Sequence, residues 1–422
     1  MNHYLKILII TAATASTAKT DAQQMQFEVE VENSLGKERK DVAVVITLND
    51  SQKQETSKWA GEASATCTSN KEGEEIIWQI DDIDGDTYPD ELVFVTDLAP
   101  NEKKSFTVTI KDDKKKKDET TRKARTYADM MLDDRKGKHP VISSLEAPGD
   151  SYLYNDLYHH GAAWESEMVA YRIYFDERQN IDIYGKKLKR LELSDTHFYT
   201  TPEQMKQDYG NDVLWAGNSI GCGSFKGFNG KTTQNISPVK KRGQKIIASG
   251  PVRTIVEMTD KGWDYQNTRL NMRQLYILYS GHRDTEVHII FDQPLKNETF
   301  CTGVQKYGTN STSFVLGDGL AATWGSDYPE AGKKEQFPPE FVGLGVYVPK
   351  TFVKKYIEDD LNHLFVLGAK DKKEITYYIT FGADKEQEGY HSSKAWFAKI
   401  NAWKEELENS PKITIKKIKD KK

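Results

Sequence analysis

The chain has 422 residues with 59 Lys and Arg against 64 Asp and Glu, a net charge of -5 at pH 7. That balance leaves no electrostatic case for a nucleic-acid partner. Only 3 cysteines stand beside 21 tyrosines, which excludes a disulfide-built scaffold and points to a strand-rich protein with aromatic stacking surfaces.

Residues 1–22 read as a secretory signal peptide. Lys6 precedes the apolar run Ile7–Ile10, and small residues follow as far as Asp21-Ala22. An exported protein, periplasmic or secreted, is the expectation, with a mature start near Gln23. No cysteine near that point offers a lipid anchor, and no later stretch reaches the ~18 apolar residues of a membrane span.

The length exceeds what one simple core usually serves, so two domains are expected. Residues 23–112 alternate: Phe27, Val29 and Val31, then Val42, Val44, Ile46 and Leu48 after the Gly36-Lys37 turn. Two apolar runs at 76–80 and 91–95 and a third, Phe106–Ile110, complete a small β-sandwich. Between the first two lies an acidic loop, Asp82-Ile83-Asp84-Gly85-Asp86-Thr87-Tyr88-Pro89-Asp90. Asp82, Asp84, Asp86 and Asp90 occupy positions one, three, five and nine, and Ca²⁺ is a hard cation that takes several such oxygens at once. The spacing resembles the calcium loops of β-propeller and dockerin-type proteins. It departs from them at Thr87, where Gly is usual, and Val93 stands where an EF-hand has its bidentate Glu. A structural Ca²⁺ site is one reading; an acidic hairpin turn held by Asx hydrogen bonds is the other.

Residues 113–140 are highly charged, with four lysines at Lys114–Lys117, and read as a solvated linker containing a helical turn over Tyr127–Leu132. From 141 to 422 strand-like runs return, among them Arg253–Met258, Gln274–Tyr279, Thr285–Phe291, Phe341–Val348 and Glu374–Phe381. Long connections between them suggest one large antiparallel β-sandwich. No GxGxxG or GxxxxGK[ST] motif occurs, so no nucleotide cofactor is expected. Near the end Trp396, Ile400, Trp403 and Leu407 recur at helical spacing, with Ser392-Ser393 to cap the helix, Pro411 after it and a last strand, Ile413–Ile415.

The densest chemistry is the run His159-His160-Gly161-Ala162-Ala163-Trp164-Glu165-Ser166-Glu167, followed by Ala170–Asp176. Imidazoles, carboxylates, a guanidinium and phenols fall just before and inside a strand. Asn180–Lys186 is a second polar strand, with Asp182, Tyr184 and Lys186 alternating. If it pairs with 169–175, Arg172 or Tyr174 shares its face. Leu214–Phe225 is a Gly-rich loop carrying Trp215, and such a loop lets backbone approach a ligand closely.

The acidic loop with Glu91–Phe94, the His159–Asp176 run, Asp182–Lys186 and Gly250-Pro251-Val252-Arg253-Thr254 together resemble the domain-of-unknown-function family numbered 4861, over nearly the whole mature chain. The resemblance implies an all-β protein: a small sandwich followed by a galactose-mutarotase-like antiparallel supersandwich. It also implies the company of enzymes that degrade pectin and other polysaccharides.

The residues themselves permit three reactions on a glycan. A uronate lyase neutralises a carboxylate, removes the C5 proton and protonates the leaving oxygen. Arg172 or Arg253 suits the first task and His159, His160 or Tyr171 the others. A hydrolase needs two carboxylates, for which Glu165 with Glu167 or Asp182 are candidates. An epimerase needs a His and a Glu, the latter from Glu257 or Glu286. Trp164, Glu167, Asp182, Tyr184, Lys186, Trp215 and Arg253 are the candidate substrate contacts. The leading expectation is a lyase acting on uronate-containing oligosaccharide, with hydrolase, epimerase and non-catalytic glycan binding as alternatives.

Overall fold

A computed structural model describes residues 24–59, 62–70, 73, 75–113, 124–307, 311–328 and 339–418. The expected signal peptide and the lysine run 114–117 lie outside the described residues.

Alternation of apolar residues builds the first unit. Met25, Phe27, Val29 and Val31 on Gln24–Glu32 are buried, as are Val42, Val44 and Ile46 on Arg39–Thr47. These two strands do not form a hairpin. They lie in different antiparallel sheets and face each other across one core, which Trp78, Leu92, Phe94, Phe106 and Val108 complete. The expected pairing around the acidic loop is present, Trp78–Asp81 against Glu91–Leu98.

The last strand, Lys412–Ile418, is antiparallel to Gln24–Glu32, with Gln26 opposite Ile418. It therefore completes the N-terminal sheet and does not belong with the large unit of 141–422 in which the sequence placed it. Its pattern is mostly exposed, so periodicity offered no clue to its partner.

The large unit is an antiparallel supersandwich. A nine-stranded sheet runs in the order Thr312–Leu316, Leu320–Asp327, Glu340–Tyr347, Glu374–Ala383, Thr285–Phe291, Thr268–Tyr279, Arg253–Tyr265, Lys241–Ser249, Ser144–Pro148. Two five-stranded sheets complete it. One of them is Asn211–Asp212, Ile181–Gly185, Ala170–Tyr174, Gly161–Ser166 and Thr126–Asp129. A single core containing Trp164, Tyr171, Tyr276, Phe300, Phe365 and Phe381 joins the layers. The expected linker is thus partly sheet. Thr126–Asp129 is a strand paired with Gly161–Ser166, not a helical turn, because Thr126, Ala128 and Asp129 are buried against it.

The helix Ser393–Glu408 lies on the outer face of the nine-stranded sheet. Ser392 Oγ accepts from Ala395 N at 3.2 Å, and Trp396, Ile400 and Trp403 are buried as their spacing predicted. Gly343 is needed beneath it, since a Cβ there would stand 2.4 Å from the Trp396 ring.

Arg253, a candidate substrate contact, instead ties the two units together. It is 1 % exposed, its guanidinium reaches Asp81 and Glu91 at 2.7 Å each, and Gln79 bonds to its backbone and that of Val252. Nε on buried Asp81 and a terminal nitrogen on Glu91 commit this guanidinium to the contact between the units. The three cysteines Cys67, Cys222 and Cys301 are buried free thiols.

Candidate functional site

Strand register decides which candidates share a surface. Arg172 stands opposite Asp182 and Ala163, and Ala170 stands opposite Tyr184 and Glu165. Glu165, Arg172, Asp182 and Tyr184 therefore project from the outer face of the small sheet. Trp164 and Tyr171 project inward, stacked on each other in the core. The Trp164 indole donates to Thr285 Oγ1 at 3.1 Å, and the Tyr171 hydroxyl donates to the Arg283 carbonyl. Neither is available to a substrate.

One end of the outer face is closed. Glu165 is fully buried, bonded to the Lys186 ammonium, and accepts the backbone N–H groups of Glu192 and Leu193 at 2.9–3.0 Å. Lys186 also donates to the carbonyls of Ser166 and Arg190 at 2.7 Å. The Tyr184 hydroxyl is held by Glu192 at 3.0 Å and Thr200 at 2.8 Å. Burial pushes the Glu165 carboxyl up, and Lys186 with the two N–H donors opposes it. This network is satisfied internally, so Glu165, Tyr184 and Lys186 hold the sheet cover in place. Glu167 pairs with Arg125 and accepts from Gly281 N at 3.0 Å. Arg125 also reaches Asp41 of the small sandwich, so Glu167 too belongs to the contact between units.

The other end is open. Arg172, 3 % exposed, donates from Nε and one terminal nitrogen to Asp182 at 3.2 and 2.7 Å, and from that nitrogen to Asp212 at 2.9 Å. The same nitrogen reaches the Tyr174 hydroxyl at 3.0 Å, and the other terminal nitrogen reaches the Tyr199 hydroxyl at 3.2 Å. Its carbon lies 4.2 Å from the Phe198 ring centre. Arg172 thus does not offer a fork to a substrate carboxylate, as the sequence suggested. It holds two phenols. The Tyr174 hydroxyl donates its hydrogen bond to Asp182 at 2.9 Å, whereas the Tyr199 hydroxyl, accepting from Arg172, has its own hydrogen left to donate. Burial raises both phenols and Arg172 pulls against it, so both stay protonated at neutral pH.

The two histidines separate. His159 is 1 % exposed, with Nε2 against Asp129 at 3.1 Å and Nδ1 buried without a partner, which places it behind the surface. His160 turns outward through a left-handed backbone, φ 68°. Its Nδ1 lies 2.7 Å from the Tyr154 carbonyl, so that nitrogen carries the proton and Nε2 keeps a lone pair. Burial lowers the imidazole to about 4, and it is neutral at physiological pH. Its ring stacks on Tyr154 at 3.7 Å and stands 5.9 and 6.3 Å from Tyr174 and Tyr199. Tyr152, 73 % exposed, continues the stack at 6.2 Å, and Arg178 lies over both Tyr154 and Tyr174.

Tyr152, Tyr154, Tyr199, Arg178 and Asp212 are the site residues that sequence reasoning missed. The signal was the tyrosine spacing on both sides of the histidine pair. Trp215 is exposed on the loop that follows Asp212 directly.

In the acidic loop Asp82, Asp84 and Asp86 offer oxygens within 4.8 Å of one another. Asp82 accepts from Gly85 N and Thr87 N, and Asp84 from Asp86 N, which is the Asx-turn arrangement. Asp90 does not join them. It is buried, bonded to Lys53 and accepts from Ile83 N at 2.6 Å. Burial opposes its charge, and Lys53 with the N–H donors outweighs burial, leaving Asp90 below the usual carboxylate range.

The histidines of the nine-stranded sheet lie elsewhere. His288 sits between Glu286 at 2.9 Å and Glu374 at 2.5 Å, and Glu257 pairs with Arg273. Neither Glu257 nor Glu286 meets His159 or His160. The segment His282-Arg283-Asp284 lines a cleft of about 520 Å³ between the small sandwich, the sheet and the C-terminal helix. His282 bonds there to the Asp41 carbonyl at 2.8 Å.

The family described as domain of unknown function (DUF4861) matches residues 31–413. No curated protein matches the chain. Among solved structures, it is similar to a glycosyl hydrolase family 38 protein from Enterococcus faecalis, at 9 % identity and a TM-score of 0.44, covering 93 % of this chain and 47 % of that one. It is likewise similar to an alpha-mannosidase from Enterococcus faecalis V583, at 10 % identity and 0.43, covering 93 % and 46 %. The chain spans about half the length of either protein, and likeness at this level carries no statement about activity.

Proposed function

The chain belongs to the DUF4861 family, and from that premise we propose that it acts on a uronate-containing glycan by β-elimination at the open end of the small sheet. One observation carries this reading: a neutral His160 with a free Nε2 stands beside a Tyr199 hydroxyl oriented by Arg172, among stacked tyrosines. His160 Nε2 takes the C5 proton. The C5–H electrons form the C4–C5 double bond as the C4–O bond breaks, and Tyr199 protonates the departing oxygen. Tyr152, Tyr154 and Trp215 supply faces for sugar rings.

Hydrolysis fits less well. Glu165, Glu167 and Asp182, the carboxylates it would use, are each bonded to a cation inside the protein. The signal-like N-terminus supports an encounter with the glycan outside the cytoplasm.

The test is a screen of acidic and neutral plant oligosaccharides, read by absorbance of the unsaturated uronide. The expected outcome is a rise with an acidic substrate that His160→Ala and Tyr199→Phe each reduce by about a hundredfold or more. Reducing-sugar release without that absorbance would establish hydrolysis instead. Binding without turnover, unchanged in His160→Ala, would establish a binding protein.

A further inference from the structure

Arg178 is shared between the aromatic surface and a separate cavity of about 80 Å³, lined also by Asn180, Gly217, Ser219 and Lys226. Two features of this cavity are unlike its surroundings. Lys226 is 4 % exposed, and its ammonium donates to the Arg178 carbonyl yet has no carboxylate in ion-pair range among the described residues. A buried ammonium left unpaired is costly, and proteins keep one where it meets an anion or does chemistry. Asn180 is 2 % exposed. Its Nδ2 holds the Gly217 carbonyl at 3.2 Å while its Oδ1 is buried without a partner.

Asp176 and Glu177 attract the Lys226 charge, but burial outweighs them and each carboxylate is bonded to another side chain. Asp176 accepts at Oδ2 from Nε and a terminal nitrogen of Arg178 and at Oδ1 from Arg178 N, Glu177 is bonded to Asn235, and Cys301 is a thiol that burial keeps protonated. We propose that this cavity is an anion subsite, with Lys226 as its cation, that receives an acid group of the glycan. The class of ligand is a carboxylate or a sulfate ester. The identity of the ligand as a glycan rests on the proposed function; the anion site itself does not. Burial lowers Lys226 to about 7, so its charge changes across the range in which the protein is handled.

The experiment is calorimetric titration of the full chain with inorganic sulfate and, separately, with D-glucuronate, at pH 6 and pH 8.5. Both probes keep their charge over that interval. Arg178 and the Cys301 thiol are both raised away from this interval, so a change in affinity reports Lys226. At least one probe is expected to bind at pH 6 and to lose about tenfold or more in affinity at pH 8.5. That loss is expected to vanish in Lys226→Arg, which stays charged, and binding to disappear in Lys226→Met. Which probe binds distinguishes sulfate ester from carboxylate. Absence of binding by both probes, equal affinity at the two pH values, or unchanged binding in Lys226→Met overturns the subsite. If Lys226→Met does not fold, the pH comparison in the wild-type protein decides. Anion binding that passes these tests beside an absence of turnover would retain the subsite and remove the lyase reading.

Discussion

Glu165 and Arg172 project from the same face of the same sheet, and the two ends they mark do different work. Around Glu165 each strong donor and acceptor is matched inside the protein, under Glu192 and Leu193. Around Arg172 the ion pairs are also largely buried, but the guanidinium reaches two phenols that stand beside the His160 imidazole toward the surface. A dense cluster of reactive side chains is therefore no guide to function by itself. The informative quantity is how many polar atoms remain unspent after the protein has satisfied its own.

Substitutions sharpen this contrast. Glu165→Leu leaves the Lys186 ammonium buried without its carboxylate, and a loss of about 3–5 kcal/mol in urea unfolding is expected. Adding Lys186→Met should return most of it, because the pair holds structure and not substrate. Arg253→Met should cost a similar amount, about 3–5 kcal/mol, by stranding Asp81 between the units. Calorimetry should then resolve separate transitions for the small sandwich and the supersandwich. At the open end His160→Ala and Tyr199→Phe should change stability by only about 1 kcal/mol, the ordinary worth of one hydrogen bond, while removing activity. A large stability loss there would erase the distinction between the two ends.

Titration separates the histidines in the same way. His160 is lowered to about 4, so the stability tied to its neutral form is present above the unfolded value near 6.5 and is lost as pH falls toward 4. For His288 burial opposes the charge, but Glu286 and Glu374 outweigh it and raise the ring to about 9. Its contribution is present below about 6.5 and is lost as pH rises through 9. Unfolding of His160→Gln and His288→Gln should flatten the acid and the alkaline limb respectively. The smallest effect belongs to the acidic loop. Thr87 has φ 76°, and Thr87→Gly should stabilise by about 1 kcal/mol by relieving a β-branched residue in the left-handed region.

Much of the fold was legible. Apolar alternation gave the strands of both sandwiches, and the Trp396, Ile400, Trp403 spacing gave the terminal helix with its buried face. The hairpin carrying Arg172 opposite Asp182 was also readable, since strands of matched polarity flanked a short turn. The partner of Lys412–Ile418 was not, because a mostly exposed strand fits many edges and the chosen one lies almost 400 residues away. Among the candidate site residues, His160 and Arg172 stand at the open end and Asp182 beneath it. Trp164, Tyr171, Glu165, Tyr184 and Lys186 are interior. Side-chain type announces what a residue can do, but a strand gives it two faces, and composition does not say which face water reaches.

By itself the sequence determined the class of the protein: all-β, two sandwiches, a capped helix, and a motif rich enough in His, Tyr and Arg to mark one neighbourhood. Tertiary structure decided which of those groups are spent on folding. Charge pairs such as Arg253 with Asp81 form between residues over 170 positions apart, and only the closed fold shows that they are taken. The physical reason is that burial and pairing are properties of three-dimensional surroundings. The same Glu is a cap under one lid and a catalyst in an open cleft, and nothing local in the chain distinguishes them.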